Sequence, residues 1–135
     1  MRIEFLYLRK GENTFPLVDV ELIGPRGSLV VKALLDSGAS MSLFRAEIAY
    51  YLGVAVREGE ALSLQGIRGS VMAYRHKIPV RVGQEKLDCE IAFASQIETS
   101  FNLLGRNNFF LPFLITFDEK LQKVIVETNP QAEAR

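Results

Sequence analysis

The segment Asp36-Ser37-Gly38-Ala39-Ser40 closes the apolar run Leu29-Val30-Val31-Lys32-Ala33-Leu34-Leu35, and its residue types can do chemistry. A carboxylate set directly after a buried strand is costly unless it is paired, because an isolated buried charge loses its hydration. Ser37 and Gly38 are turn formers, the first through local hydrogen bonds and the second through close backbone approach. The pattern therefore describes a strand that stops abruptly and presents one acid at a tight turn. One acid is half of a site. Two carboxylates within hydrogen-bond reach share a single proton, so one can act as base and the other as acid on a water molecule. The chain contains a single Asp-Ser-Gly, so the second carboxylate has to come from another copy.

The elements that would position this turn can be read from the flanking pattern. Val18 to Ile23 is rich in β-formers and stops at Gly24-Pro25-Arg26-Gly27, so it pairs with Ser28 to Leu35 in a hairpin ending at Asp36. Ser42 is expected to cap a short helix reaching about Leu52, with Gly53 closing it. Gly66 and Gly69 mark a turn between β segments. Val71 to Val82 reads as a long strand interrupted at Pro79, and Leu87 to Phe93 alternates apolar and polar residues. Leu103-Leu104 reads as a strand, Gly105 to Phe110 as a short helix, and Leu114 to Val126 as a last hairpin. The expected fold is mainly β, with one or two short helices.

Two further strings stand in order with the first. Gly66-Ile67-Arg68-Gly69 lies between the Asp36 turn and Asn102-Leu103-Leu104-Gly105-Arg106-Asn107. Together, Leu34-Leu35-Asp36-Ser37-Gly38-Ala39, the paired glycines and Leu103-Leu104-Gly105-Arg106-Asn107 resemble the retropepsin family of single-domain aspartic proteases. The resemblance spans roughly residues 15–126. It implies a closed acid-protease barrel with a hairpin flap, and an aspartic endopeptidase active as a homodimer. It implies catalytic roles for Asp36, Ser37 and Gly38, with the Ser37 hydroxyl cross-linking the two copies beneath the site. It implies substrate contacts from Ala39, Ser40, Gly66, Ile67, Arg68, Gly69 and Leu103, and structural support from Leu104, Gly105 and Arg106. The sequence departs from the family at Ser37, where Thr is commoner, and at Ser40, where retroviral members carry an acidic residue. A peptide- or partner-binding domain of the same fold with little catalytic activity is the alternative.

Composition narrows the function classes further. The 135 residues suffice for one domain and not for two. We expect an N-terminal segment over residues 1–14 able to serve as a dimer strand, the protease-like domain over 15–126 and a flexible tail over 127–135. Lys plus Arg and Asp plus Glu both number 16, so net charge is zero and no basic face is available for nucleic acid or an anionic membrane. A Gly-x-x-Gly loop also occurs in KH-type RNA-binding domains, but there it joins helices, and here its flanks read as strands. With a single histidine, His76, and a single cysteine, Cys89, one chain cannot assemble a zinc cluster, and no metal or cofactor is implied. Ser37 lacks a nucleophile-elbow pattern and a nearby histidine, which excludes the serine-hydrolase reading. Cys89 cannot form an intrachain disulfide and reads as a buried small hydrophobe, and the start of the chain shows no secretory apolar stretch. A cytoplasmic setting is expected. The partners expected are a polypeptide substrate and a second copy of the chain.

Overall fold

A computed structural model describes residues 1–66, 69–97 and 100–131. Its centre is a seven-stranded sheet that closes on itself. The strands are β4 (Leu17–Gly24), β5 (Gly27–Leu35), β6 (Ser42–Arg45), β7 (Glu60–Gly66), β8 (Gly69–Val82), β9 (Glu85–Ala94) and β10 (Asn102–Leu104), in the order β4-β5-β10-β6-β9-β8-β7. β8 also pairs with β4 through Glu21↔Arg81 and Leu22↔Val80, which joins the two ends of the row into a barrel. Most ladders are antiparallel. Two are parallel, β10 on β5 and β6 on β9. Those two bring distant segments beside Asp36.

Alternation puts one face of each strand inside. Val18, Val20 and Leu22 of β4 are buried, with Val80 and Val82 of β8, Ile91 and Phe93 of β9, and Leu104 of β10. A helix α1 (Ala46–Leu52) lies against this core through Ala46, Ala49 and Leu52, and ends at Gly53 in the left-handed conformation that suits glycine. Around the barrel, β1 (Arg2–Leu6), β11 (Phe113–Asp118) and β12 (Lys123–Thr128) form a second sheet in the order β1-β12-β11. Val124 and Val126 seal it onto the core, while Lys123–Glu4 and Arg2–Glu127 ion pairs decorate its outer side. A small hairpin, β2 (Leu8–Lys10) with β3 (Asn13–Phe15), precedes β4.

Three local readings change. Ser42 does not cap α1. The helix begins after Arg45, with no side-chain cap, and Ser42 opens strand β6 with its side chain fully buried. The parallel pairing with β9 draws Ser42 to Arg45 into the barrel before the helix can start. β8 runs unbroken through Pro79, which falls after β7 has ended its pairing at Arg75 and before β4 begins at Val80. There only β9 flanks the strand, a position that tolerates a missing N–H. The helical turn Arg106–Phe110 is irregular, because Asn107 and Asn108 leave helical angles and Asn108 adopts φ 68°. Asn108 is half-buried, and its side-chain oxygen accepts the Glu90 amide at 3.3 Å.

Candidate active site

Asp36 follows β5, whose nine residues carry the chain about 30 Å from the Gly24–Gly27 turn. The carboxylate is half-buried, and its turn is tied down from several sides. The Ala39 amide donates to the Asp36 carbonyl at 3.1 Å, closing the turn. The Gly38 amide donates to Asp36 Oδ1 at 3.0 Å, which aims the carboxyl group back over the loop. A Cβ on Gly38 would stand 3.3 Å from that same oxygen, so the glycine leaves room for the acid. Ser37, Gly38 and Ser40 are exposed and Ala39 is half-buried.

The second string lies directly against this turn. β10 runs parallel to β5 with Leu103 beside Leu34 and Leu104 beside Leu35, so both strands end together. The Asp36 amide donates to the Leu104 carbonyl at 3.0 Å. Beyond it, the Arg106 amide donates to the Ala39 carbonyl and the Asn107 amide to the Ser40 carbonyl, each at 2.9 Å. The loop carrying the acid is thus stitched to the 104–107 segment by backbone hydrogen bonds. The Arg106 side chain is exposed, and its tie to the loop runs through its amide.

Sequence reading missed two side chains here. Ser42 accepts a hydrogen bond from the Gly105 amide at 3.0 Å, inside the protein. Asn102 spans β10's two neighbours, accepting from the Arg45 amide at 3.1 Å and donating to the Lys32 carbonyl at 3.4 Å. The signal for Ser42 was its two-residue spacing from Phe44, which places both on the buried face of β6. The signal for Asn102 was weaker, since a polar residue opening a short apolar strand has several uses.

Gly66 and Gly69 are partners at the end of the β7–β8 ladder. Ile67 and Arg68, expected to contact substrate, lie outside the described residues. Gly69 takes φ 115°, open to glycine and strained for other residues. β9 reaches only as far as Ala73 on β8, so from Met72 to Gly69 the hairpin has β7 as its neighbour and overhangs the barrel. Between hairpin and Asp36 turn lies an apolar band of its own. Ala73, Ala92 and Ala94 are buried there beneath half-buried Met41, Leu43, Leu62, Leu64, Val71 and Ile97. Leu103 touches this band through its register partner Leu43.

Other chemistry-bearing groups lie elsewhere. Cys89 is buried in the barrel, and burial together with Asp88 pushes its thiol up to about 12, so it is not a thiolate nucleophile. His76 is held at 2.7 Å from the Val56 carbonyl. It lines a cleft of about 640 Å³ with Pro25, Val54, Glu58 and Pro79, beside the Gly24 turn at the far end of β5 from Asp36.

The family model described as Aspartyl protease matches residues 18–107, a window that takes in the Asp36 turn, the β7–β8 hairpin and the 104–107 segment. The chain belongs to the aspartyl protease family. Solved structures agree on the fold of this aspartyl protease family member. The retropepsin-like aspartic protease from Rickettsia conorii is 17% identical with a TM-score of 0.70, covering 93% of this chain and 98% of that one. The EIAV protease complexed with the inhibitor HBY-793 is 16% identical with a TM-score of 0.55, covering 74% of this chain and 89% of that one. At those identities the likeness is one of fold, and the fold of this aspartyl protease family member is retropepsin-like. None of the curated proteins matches the chain. No helix among the described residues is long and apolar enough to cross a membrane.

Proposed function

We propose that this chain is an aspartic endopeptidase that works as a homodimer, with one Asp36 from each copy forming the dyad. The observation that carries the reading is Asp36 at a strand-end turn, its carboxyl held by the Gly38 amide and its own amide held by the Leu104 carbonyl, in a chain of the aspartyl protease family. Two such carboxylates brought together cannot both ionise, so the pair keeps one proton. The ionised member takes a proton from water as the water attacks a peptide carbonyl. The protonated member donates to the carbonyl oxygen, so the pair is left with the one proton taken from water. As the tetrahedral diol collapses, that proton passes to the departing amine and a diol hydroxyl returns its own to the pair. Each step conserves the proton count of the pair, and no bond to the protein is formed.

The other site residues take roles consistent with this chemistry. Ser37, exposed beside the acid, would meet its counterpart across the two-fold axis and hold the two loops at a fixed spacing. The β7–β8 hairpin would fold over an extended peptide, offering backbone bonds and excluding water, with Gly66, Ile67, Arg68 and Gly69 at its tip. The half-buried apolar band of Met41, Leu43, Leu62 and Val71, with Ala39 and Leu103, supports a substrate carrying apolar side chains near the cleaved bond.

The test is cleavage of a peptide library by the wild-type chain and by Asp36→Asn, across a dilution series. The expected result is cleavage by the wild type alone, with specific activity falling as dimer dissociates on dilution. Equal activity in the Asn variant would remove Asp36 from the mechanism. Peptide binding by wild type without any cleavage would establish a binding domain instead.

A further inference from the structure

We propose that Ser42 is a positioning residue for Asp36, a role that rests on the protease reading above. Among the described residues, Ser42 is the one buried polar side chain, fully shielded from solvent. Its hydroxyl oxygen accepts the Gly105 N–H at 3.0 Å. The carbonyl of that same peptide unit, on Leu104, accepts the Asp36 N–H at 3.0 Å. A peptide unit is planar, so its N–H and C=O turn together. Ser42 holds one end of the plane and thereby sets the direction from which the other end grips the catalytic loop.

The peptide is flanked by the β10–β5 ladder and the Arg106–Ala39 bond, and its own N–H is satisfied by Ser42. Gly105 is buried, and its Cα faces the Met41 backbone so closely that a Cβ would come within 2.5 Å of the Met41 carbonyl oxygen. The contact fixes where the peptide sits. It does not fix rotation about the axis along the chain, since a steric wall has no directional preference. The Ser42 hydrogen bond supplies that direction. Without it a buried amide is left unpaired and the plane turns to find another acceptor, carrying the Leu104 carbonyl away from Asp36.

The consequence is specific because Ser42 touches no solvent and so cannot touch substrate. Its loss changes the spacing of the two carboxylates and leaves substrate contacts in place. The effect falls on kcat and spares KM. The two apparent pKa values of a carboxylate pair are held apart by their mutual repulsion, which weakens with distance. A looser pair therefore narrows the bell-shaped pH profile, which a general loss of stability does not do.

The experiment compares wild type with Ser42→Cys and Ser42→Ala. The thiol keeps the side chain's shape and is a weak acceptor, so Ser42→Cys carries the test if the alanine variant fails to fold. Residue-resolved hydrogen exchange reads the Asp36 amide directly and needs no activity. Expected are exchange at Asp36 faster by about tenfold or more, with Val20 and Val31 of the β4–β5 ladder unchanged, and kcat lower by about 10- to 100-fold with KM within about twofold and a narrower bell. Wild-type exchange at Asp36 in both folded variants overturns the proposal, as does faster exchange with unaltered kcat and pH profile. An inactive wild type counts against the protease reading alone, and the exchange result then decides whether Ser42 holds Asp36.

Discussion

Gly105 meets the backbone of Met41 with no room for a side chain: a Cβ would lie 2.5 Å from the Met41 carbonyl oxygen and 2.8 Å from its amide nitrogen. Both atoms are main chain of the segment joining the Asp36 turn to β6, so neither can swing aside as a side chain could. Gly105→Ala should therefore destabilise the fold by about 1–3 kcal/mol, the usual cost of overpacking. The measurement is the denaturant midpoint at unchanged slope. A midpoint equal to that of the wild type would mean that the 104–107 segment can slide without consequence.

The pH profile of peptide cleavage should be bell-shaped and centred below neutrality. The rate requires one protonated and one ionised Asp36. Below both apparent pKa values of the pair the base is lost, and above both the acid is lost. The profile of kcat/KM tests this, and a rate still rising through about pH 9 would point to a different chemistry.

The hairpin from Leu64 to Tyr74 should gain protection when a peptide inhibitor binds. In the free chain its outer part has a neighbour on one side only, since β9 stops at Ala73. Strand β4, paired on one side along its whole length and buried at Val18, Val20 and Leu22, provides the internal reference. Hydrogen exchange with and without inhibitor should slow at Val71 and Met72 and stay constant at Val20. Equal exchange in both states would make the Gly66–Gly69 end an ordinary turn.

Tyr7 gives the fold a defined alkaline limit. Burial, then a 2.8 Å hydrogen bond from its hydroxyl to Glu119, pushes its pKa up to about 12 from an ordinary 10. The folded chain holds this proton after the unfolded chain has released it. The stabilisation is complete below pH 10 and is lost as pH rises from 10 towards about 12. Tyr7→Phe should flatten the fall in stability across that window relative to the wild type. Denaturant titrations at stepped pH compare the two slopes, and parallel curves would show that Tyr7 ionises freely in the fold.

Much of the fold was legible because it rests on local chemistry. The Gly24-Pro25-Arg26-Gly27 turn and the apolar runs on either side signal a hairpin locally, and that hairpin, which forms here, puts Asp36 at a strand end. The alternation of Leu87, Cys89, Ile91 and Phe93 likewise determined a buried face of β9. The resemblance joined the Asp36 turn to the Leu104-Gly105-Arg106 string across more than sixty residues, and the hydrogen bonds from Asp36 to Leu104 and from Arg106 to Ala39 bear out that closeness.

What tertiary structure decided were the choices in which a residue has equal local prospects. Ser42 is a good helix cap by its own chemistry, yet the parallel pairing of β6 with β9 claims it for a strand and buries its hydroxyl against Gly105. Pro79 is a strand breaker by its own chemistry, yet it sits where only β9 flanks β8. Asn102 could have been a turn residue and instead bridges β5 and β6. Parallel ladders join segments far apart in sequence, and no local period or turn signal encodes such a partner. The sequence by itself determined which acid is presented and on what kind of turn. The closing of the barrel decided what holds that acid still.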